Sequence, residues 1–443
     1  MFDRLKSKIS DLSPNLQQII ANMLWLVAGR IFRLAINFIV VAWMARYLGA
    51  DQFGTLNYGI ALIGIFGNTA QLGLHQFIVR DLVNDLGNRS KILGTAFALQ
   101  LISGVVSFLA ISCTIFLLKP DDPLSRMIVI IMSCSLLFQN FEIIDSWFQS
   151  QVKLKYSVIA SNIAFVIVAL VRIALIYNQA PFIAFAFTVL LESVLSITNC
   201  VIAYQRTGEK IQNWQPDWAY GKQLLAISWP LAFSNLSVMI YIYIDQIMLG
   251  QLADFRAVGI YAVAVKLSEN WVFLMLYITR SFTPYIIEGN KISEKVYYER
   301  LQKLCNLLVL IFYFVAIPLT FFATPLITAV FGQSYAAAGI VLSIHIWSSI
   351  WYCFGNVKEV WIVTEELTKF AFVTNFTGAI ANILLNLLLI PIYQEVGSAI
   401  ATVISYSLTV YGMCFIYPPA RKFGWVMTKA LGLNILTQLK KAS

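Results

Sequence analysis

The stretch that decides the fold lies in the second half of the chain, where residues 304–323 read LCNLLVLIFYFVAIPLTFFA. These 20 consecutive residues carry no charge, and about 20 apolar residues are enough for a helix to cross a bilayer. Comparable runs recur along the whole chain. They are continuous, whereas the strands of a membrane β-barrel alternate apolar and polar residues. The stretch therefore predicts a membrane-spanning helix, and many such helices are expected.

Composition leads to the same conclusion for the whole chain. Of the 443 residues, 59% are hydrophobic and only 12% are charged, whereas average proteins carry about 25% charged residues. So few charges cannot cover the surface of a soluble protein of this size. The 14% aromatic content and the long aliphatic runs are the opposite of a disordered composition. The expected fold class is an all-α polytopic membrane protein.

Reading the apolar runs against the polar residues between them predicts about 12 transmembrane helices. Their approximate bounds are 20–43, 55–78, 92–118, 127–150, 157–177, 182–204, 223–249, 257–287, 303–323, 337–361, 369–390 and 397–417. The predicted organisation is, in order, an N-terminal six-helix lobe (1–204), a cytoplasmic linker (205–222), a C-terminal six-helix lobe (223–417) and an amphipathic cytoplasmic tail (418–443). Two bundles of six helices are the plan of a transporter with a cavity between them.

The distribution of basic residues predicts the orientation in the membrane. Of the 31 Lys and Arg residues, 22 fall on the side that holds both predicted termini, five lie within spans, and four lie on the opposite side, at positions 46, 119, 126 and 256. Basic loops remain in the cytoplasm, so both termini of this multi-pass membrane protein are expected to be cytoplasmic. This asymmetry explains most of the +9 net charge, and no nucleic-acid partner is inferred from it.

Cysteine, histidine and nucleotide-binding patterns indicate no resident cofactor. The six cysteines are scattered singly through apolar segments and the two histidines, His75 and His345, are isolated, so a metal site is not expected. The Walker A pattern for ATP phosphates does not occur in the sequence. We therefore expect no catalytic residues, no metal and no enzyme activity, with H⁺ or Na⁺ as the candidate coupling ion.

Ionisable residues within the predicted spans are the strongest functional signal, because such groups are costly in a bilayer and usually face a bundle interior or a wet cavity. The cationic ones are Arg30, Arg33, Arg172, Lys266 and Arg280, and the acidic ones are Glu142, Asp145, Glu192, Asp245 and Glu269. One interpretation is that these groups only pair with one another and lock helices together, for example Lys266 with Glu269. The other is that they line a shared aqueous lumen.

Polar residues on the same spans favour the lumen. Arginine binds phosphate through two parallel hydrogen bonds and stays charged, whereas Asn, Ser and Tyr suit sugar hydroxyls, so the expected substrate is an amphiphile with a phosphorylated, glycosylated head. The predicted substrate-binding residues are Arg30, Arg33, Arg172, Lys266, Arg280, Asn37 and Tyr241. The predicted ion-coupling residues are Glu142, Asp145, Asp245 and Glu269.

Three loose motifs resemble those of the polysaccharide exporters of the multidrug/oligosaccharidyl-lipid/polysaccharide superfamily, and of Wzx-type O-antigen flippases in particular. They are Arg46-Tyr-Leu-Gly49 with Phe53-Gly54, Asp245-Gln-Ile-Met-Leu-Gly250 with Val258-Gly-Ile-Tyr261, and Phe331-Gly-Gln-Ser-Tyr335. The resemblance implies a V-shaped, MATE-like bundle that flips undecaprenyl-diphosphate-linked oligosaccharide by alternating access. It also implies a location in the bacterial cytoplasmic (inner) membrane and a cationic central cavity. The implied partners are membrane lipids, the lipid-linked sugar, a polysaccharide polymerase and chain-length machinery.

Two alternative functions remain open from the sequence. A multidrug or cation antiporter of the same superfamily would share the fold but should favour acidic and aromatic residues in its lumen. A membrane glycosyltransferase or polymerase would need a substantial external loop for its catalytic groups, and no predicted external loop exceeds about a dozen residues. The flippase is therefore the leading hypothesis.

Overall fold

The computed structural model describes the backbone of residues 14–432 and the side chains of residues 32–367 and 369–432. Within that part of the chain every regular element is helical. The α-helices are α1 (Pro14–Ala70), α2 (His75–Asn84), α3 (Arg89–Leu118), α4 (Pro123–Ser133), α5 (Leu136–Gln139), α6 (Ile143–Ser150), α7 (Leu154–Tyr177), α8 (Phe182–Gln205), α9 (Trp218–Leu252), α10 (Phe255–Glu269), α11 (Val272–Ile292), α12 (Glu294–Phe331), α13 (Ala338–His345), α14 (Ser348–Thr364), α15 (Thr368–Ser407), α16 (Met413–Ile416) and α17 (Arg421–Leu431). The predicted all-α membrane fold is confirmed.

Ten helical segments within the described residues are long and apolar enough to cross a membrane. Two of them, Phe32–Asn84 with 53 residues and Lys369–Ile416 with 48, are each long enough for two crossings of about 20 residues. Each contains a residue of non-helical conformation, Gly49 (φ 73°) in α1 and Gln394 (φ 49°) in α15. Counted as two crossings each, these segments bring the total to the twelve that the sequence predicts.

The described residues pack into two compact units. Unit 1 consists of residues 14–48 and Gly59–Met239, and unit 2 of Gly49–Tyr58 and residues 240–432. Each has its own apolar core, which includes Trp147 and Tyr204 in unit 1, and Phe312, Trp361 and Phe423 in unit 2. The lobe and linker boundaries drawn from the sequence follow the topology in the membrane and stay a prediction.

The predicted linker is held to the start of α3 by specific contacts within unit 1. The backbone N–H of Gln215 donates to the carbonyl of Ser90 (3.1 Å), and that of Asp217 donates to Thr95 Oγ1 (2.8 Å). The Lys91 ammonium lies 2.7 Å from the Asp217 carboxylate, and this contact holds the pKa of Asp217 below its usual range. The linker is therefore anchored along its second half.

The glycines of two family motifs meet in unit 2. A Cβ atom on Gly54 would lie 1.7 Å from the carbonyl oxygen of Phe255, and one on Gly259 would lie 2.1 Å from that of Ala50. Close approach of two helix backbones through small residues is a common way to pack membrane helices. The motifs after spans one and seven are therefore explained by one helix–helix contact.

The described part of the tail forms α17, whose apolar face packs on unit 2. Phe423 and Met427 are fully buried, and the Phe423 ring stacks on that of Trp361 with centroids 5.3 Å apart. Lys422 on the outer face pairs with Glu294. The amphipathic pattern of residues 421–431 thus serves packing within the protein. The rest of the predicted tail, 433–443, lies outside the described residues, and the cytoplasmic location of the tail stays a prediction.

Candidate functional site

A polar cavity of about 370 Å³ lies within unit 1. Its wall is built from the α4–α6 region, α7 and α8, together with two residues of α1, Arg33 before the break at Gly49 and Ile63 after it. The polar and charged residues of the wall are Arg33, Ser135, Gln139, Glu142, Asp145, Ser161, Glu192, Ser193, Ser196 and Cys200. Three predicted site residues, Arg33, Glu142 and Asp145, are thus brought together on one surface, and Glu192 joins them.

Two arginines share one carboxylate beside this cavity. Arg33 Nη2 lies 3.2 Å from Glu192 Oε1, and Arg172 Nη2 lies 3.3 Å from Glu192 Oε2. Arg172 also donates to Thr188 Oγ1 (3.0 Å), and its side chain is only 12% exposed, whereas that of Arg33 is 39% exposed. Arg172 is therefore a packing residue that ties α7 to α8, and Arg33 is the guanidinium that remains accessible from the cavity.

The other two carboxylates of the cavity are held by neutral groups. Glu142 accepts a hydrogen bond from Gln71 Nε2 (2.8 Å), and Asp145 accepts one from Ser157 Oγ (2.5 Å). Neither forms an ion pair with Lys or Arg in the described part of the chain. The wall therefore presents three carboxylates and one guanidinium, so that unit 1 contributes more acidic than basic groups to this surface.

Asp245 lies at the centre of a buried polar cluster in unit 2. It is 3% exposed and accepts hydrogen bonds from Tyr261 Oη (2.7 Å), Thr402 Oγ1 (2.6 Å) and Asn386 Nδ2 (2.6 Å). Asn386 also donates to Asn382 Oδ1 (3.1 Å), and Asn386 Oδ1 itself has no hydrogen-bond partner among the described residues. The buried Asp245 carboxylate is thus surrounded by neutral donors, and the amide oxygen of Asn386 beside it accepts no hydrogen bond from the described residues.

The remaining predicted site residues have less specific surroundings. Lys266 donates to Asn57 Oδ1 (3.0 Å) and lies 5.0 Å from the centroid of the Phe53 ring. The Tyr241 ring stacks on that of Tyr406 with centroids 4.6 Å apart. Arg280 and Glu269 are exposed, Asn37 is half-buried, and the side chain of Arg30 lies outside the described residues.

Several partners of the charged residues were missed by the sequence analysis. Gln71, Tyr261 and Thr402 are uncharged, and each contacts a carboxylate that is distant in sequence. Tyr261 belongs to one of the family motifs and Gln71 lies within the second predicted span, but neither position by itself indicates its partner. Within the described residues no group of three or more His, Cys, Asp or Glu side chains is arranged to hold a metal ion.

Comparison with known sequences identifies the family. The family described as "Polysaccharide biosynthesis protein" matches residues 19–290. The protein called "Probable flippase AglR" of Haloferax volcanii is 27% identical over 180 residues, which are 39% of this chain and 37% of that protein. The matched segment thus spans little more than a third of that relative's length.

Comparison with solved structures identifies the fold. An inward-facing multidrug resistance MATE transporter aligns with a TM-score of 0.69 at 12% identity and covers 92% of this chain and 99% of its own. The lipid II flippase MurJ in an inward closed conformation aligns with a TM-score of 0.68 at 15% identity. This alignment covers 94% of this chain and 93% of the MurJ chain. The Vibrio cholerae MATE transporter VcmN aligns with a TM-score of 0.58 at 14% identity, and the alignment covers 93% of this chain and 98% of the VcmN chain. At these identities the likeness concerns the fold alone.

The family match extends over more than half of the chain, and it includes the motifs that pack Gly54 against Gly259 and the span that carries Arg33. The likeness to MATE and MurJ structures covers more than nine-tenths of the chain. This protein therefore belongs to the polysaccharide biosynthesis protein family and shares the fold of the MATE and MurJ structures.

Proposed function

We propose that this protein flips an undecaprenyl-diphosphate-linked oligosaccharide, the repeat unit of an O-antigen or another surface polysaccharide, across the bacterial cytoplasmic membrane by alternating access. Three findings support the proposal: the polysaccharide biosynthesis family, a relative called a probable flippase, and a fold shared with the lipid II flippase. The proposed orientation has both termini in the cytoplasm. The proposed partners are the polymerase and chain-length machinery that use the flipped unit.

The position of Arg33 is the observation that carries this proposal. Its guanidinium is paired with Glu192 and yet 39% exposed, and it lines a cavity that also presents serine hydroxyls and the Gln139 amide. A planar, permanently charged guanidinium suits a diphosphate, and hydroxyl and amide groups suit sugars. The lipid tail would remain in the bilayer while the polar head enters this cavity.

The membrane potential is one proposed driving force for this step. Each charge that crosses the full field gains about 2.3 kcal/mol per 100 mV. An outgoing diphosphate with about two negative charges would therefore gain roughly 4 to 5 kcal/mol from an inside-negative potential of that size.

We further propose that Asp245 couples this movement to H⁺ or Na⁺. A buried carboxylate without a countercharge is costly, and Asp245 is surrounded only by the neutral donors Tyr261, Thr402 and Asn386. The unpartnered Asn386 Oδ1 beside it is a further oxygen for a cation. Uptake of a proton or a sodium ion would neutralise the carboxylate.

The function is tested by complementing a deletion strain of the source organism. Wild-type protein should restore surface polysaccharide, and the deletion strain should accumulate the lipid-linked repeat unit on the cytoplasmic side. Arg33→Glu should fail to complement at normal membrane abundance, whereas Arg33→Lys should retain part of the activity. Full complementation by Arg33→Glu would contradict the role of this residue, and normal polysaccharide in the deletion strain would contradict the function.

A multidrug or cation antiporter is the second candidate function. The excess of carboxylates over guanidinium groups on the cavity wall favours a cationic substrate, and MATE transporters share the fold. Under this alternative the deletion strain becomes sensitive to cationic drugs and its surface polysaccharide stays intact. We propose a transporter and not an enzyme, and sugar transfer by the purified protein would overturn that part of the proposal.

A further inference from the structure

An open groove of about 580 Å³ lies within unit 2, between the start of α12 and the tail helix α17. Its walls belong to residues 294–306 of α12 and residues 422–429 of α17, and we call it the tail groove. The lining positions recur every three or four residues along both helices, so each helix turns one face into the groove. The tail groove shares no residue with the cavity of unit 1 or with the Asp245 cluster.

The tail groove lies beside the polar end of α12. This helix has 38 residues and is therefore about 57 Å long, whereas the hydrocarbon core of a bilayer is about 30 Å thick. Residues 304–331 carry no charge, and five of the ten residues 294–303 are charged. Trp425 of α17 is 56% exposed, and tryptophan is enriched at membrane surfaces. The groove therefore lies level with the lipid head groups, and in the proposed orientation it faces the cytoplasm.

The rim of the tail groove carries an excess of positive charge. Three ammonium groups, those of Lys295, Lys422 and Lys429, line it together with the carboxylates of Glu294 and Glu299. Lys422 pairs with Glu294, and the other three form no ion pair within the described part of the chain. The unpaired groups are thus two ammonium groups, one on each wall, and one carboxylate. Their balance is one positive charge, which suits a monoanionic ligand.

The wall of the tail groove also presents a buried amide. Asn306 is 8% exposed, and its Oδ1 accepts a hydrogen bond from Gln302 Nε2 (2.8 Å), which also donates to the carbonyl oxygen of Val426 (3.1 Å). These bonds fix the orientation of the Asn306 amide, and its Nδ2 donates to none of the described residues. Buried polar groups are nearly always hydrogen-bonded, so this amide indicates an acceptor that enters the groove.

We propose that the tail groove binds the head group of a monoanionic phospholipid, such as phosphatidylglycerol, from the cytoplasmic leaflet. Basic pockets between helices at the cytoplasmic surface attract anionic head groups. The phosphate is attracted by Lys295 and Lys429, and Asn306 Nδ2 donates to an oxygen of the head group. A zwitterionic head group brings its own ammonium, which the two unpaired lysines repel. The single net charge of the groove therefore selects the anionic lipid.

The bound lipid should fasten α17 to α12. Two polar contacts already cross the groove, the hydrogen bond from Gln302 to Val426 and the pair of Lys422 with Glu294. A phosphate between the walls attracts Lys295 on one helix and Lys429 on the other, so it adds a third connection. Because the lipid binds the docked position of α17, it stabilises that position by mass action. Any effect of this lipid on transport rests on the proposed function.

The proposal is tested by native mass spectrometry of the full chain in detergent, titrated with phosphatidylglycerol or with phosphatidylethanolamine of the same acyl chains. Wild-type protein should bind one phosphatidylglycerol about tenfold more tightly than phosphatidylethanolamine. Lys295→Gln/Lys429→Gln should weaken this binding about thirtyfold, which corresponds to about 1 kcal/mol for each lysine near a membrane surface. Lys291→Gln/Lys303→Gln is the matched control, because it removes the same charge from two exposed lysines of α11 and α12 that do not line the groove. This control should bind as the wild type does.

Hydrogen exchange of the backbone amides locates the site. Phosphatidylglycerol should slow the exchange of residues 421–431 in the wild type and in the control variant, but not in Lys295→Gln/Lys429→Gln. Asn306→Leu keeps every charge and should weaken binding about tenfold, as expected for a lost hydrogen bond to a charged group.

Four results would overturn the proposal. They are equal affinity for the two phospholipids, equal weakening by the control variant, protection of residues 421–431 by inorganic phosphate alone, and displacement of phosphatidylglycerol by an equimolar amount of undecaprenyl phosphate. The last result would assign the groove to the lipid carrier. None of these measurements follows transport, so failure here leaves the proposed function standing.

Discussion

The two units surround their intramembrane carboxylates in opposite ways. In unit 1, Glu192 is shared by Arg33 and Arg172 at the edge of a polar cavity. In unit 2, Asp245 is sealed from solvent and receives hydrogen bonds from neutral groups only. The first arrangement compensates the charge within the protein, and the second leaves it to be compensated by an ion or a proton.

This difference shows that the role of an intramembrane charge depends on its partners and its exposure. Arg33 and Arg172 contact the same carboxylate at nearly the same distance, yet one faces the cavity and the other is enclosed. Interpreting such charges either as structural pairs or as ligands is therefore too simple. Glu192 does both, because it fixes the enclosed Arg172 and positions the accessible Arg33.

The largest effect should come from removing Arg172, the enclosed one of the two arginines that pair with Glu192. Arg172→Met leaves Glu192 with only the exposed Arg33, and removal of one partner from a largely buried pair costs about 3 kcal/mol of unfolding free energy. Arg33→Met should cost about 1 kcal/mol or less, because that guanidinium is partly exposed. Denaturation in detergent, followed by tryptophan fluorescence, measures both.

The double variant Arg172→Met/Glu192→Gln is the control for this prediction. It removes the carboxylate that the single variant leaves undercompensated, so it should recover part of the lost stability. Equal costs for the two arginines would contradict the distinction between the enclosed and the accessible guanidinium.

The second effect concerns the sealed carboxylate of unit 2. Asp245→Asn has nearly the same shape but no charge, so transport should no longer respond to an imposed ion gradient, a loss of about 2.3 kcal/mol per coupled charge at 100 mV. The measurement is substrate flipping in proteoliposomes with and without proton or sodium gradients. Glu299→Gln is the matched control, because Glu299 is an exposed acid of the same unit and is not among the predicted coupling residues. A gradient response that survives Asp245→Asn would remove Asp245 from the coupling mechanism.

Local patterns explain how much of the fold was predictable. Apolar runs and the distribution of Lys and Arg depend on the bilayer, which acts on each segment separately, so the number of crossings follows from the sequence. The breaks at Gly49 and Gln394 fall in the short segments between predicted spans, because polar residues mark the ends of the spans. The contact between Gly54 and Gly259 joins two of the motifs on which the family resemblance rests.

The sequence identifies the ionisable residues of the site, but it does not identify their partners. Arg33 and Glu192 are 159 positions apart, and nothing in the sequence selects Glu192 from the five acids of the spans. The neutral donors around Asp245 were harder still, because Thr402 is one of many hydroxyl residues in apolar helices. Partner choice depends on how the helices rotate and pack, and hydropathy carries no information about that.

The third effect concerns a cation that is held by a neutral partner. Asn57 is buried and accepts a hydrogen bond from the Lys266 ammonium, and hydrogen bonds to charged groups contribute about 1.5 to 3 kcal/mol. Asn57→Leu should therefore lower the unfolding free energy by about 1.5 kcal/mol, as measured by the same denaturation assay. Ser237→Ala, which removes an exposed hydroxyl bond within α9, should have almost no effect. A cost close to that of Arg172→Met would mean that neutral partners matter as much as ion pairs.

The smallest effect belongs to the surface pair that anchors the linker. Lys91 lowers the pKa of Asp217, so the folded protein favours the ionised carboxylate. The stabilisation is complete above the ordinary pKa of Asp, about 3.9, and is lost as the pH falls through the lower pKa of the folded state. Wild-type protein should resist proteolysis of the linker better than Asp217→Asn at neutral pH, and the difference should disappear in acid. Equal proteolysis of the two proteins at neutral pH would show that the backbone contacts of Gln215 and Asp217, and not the charge pair, hold the linker to α3.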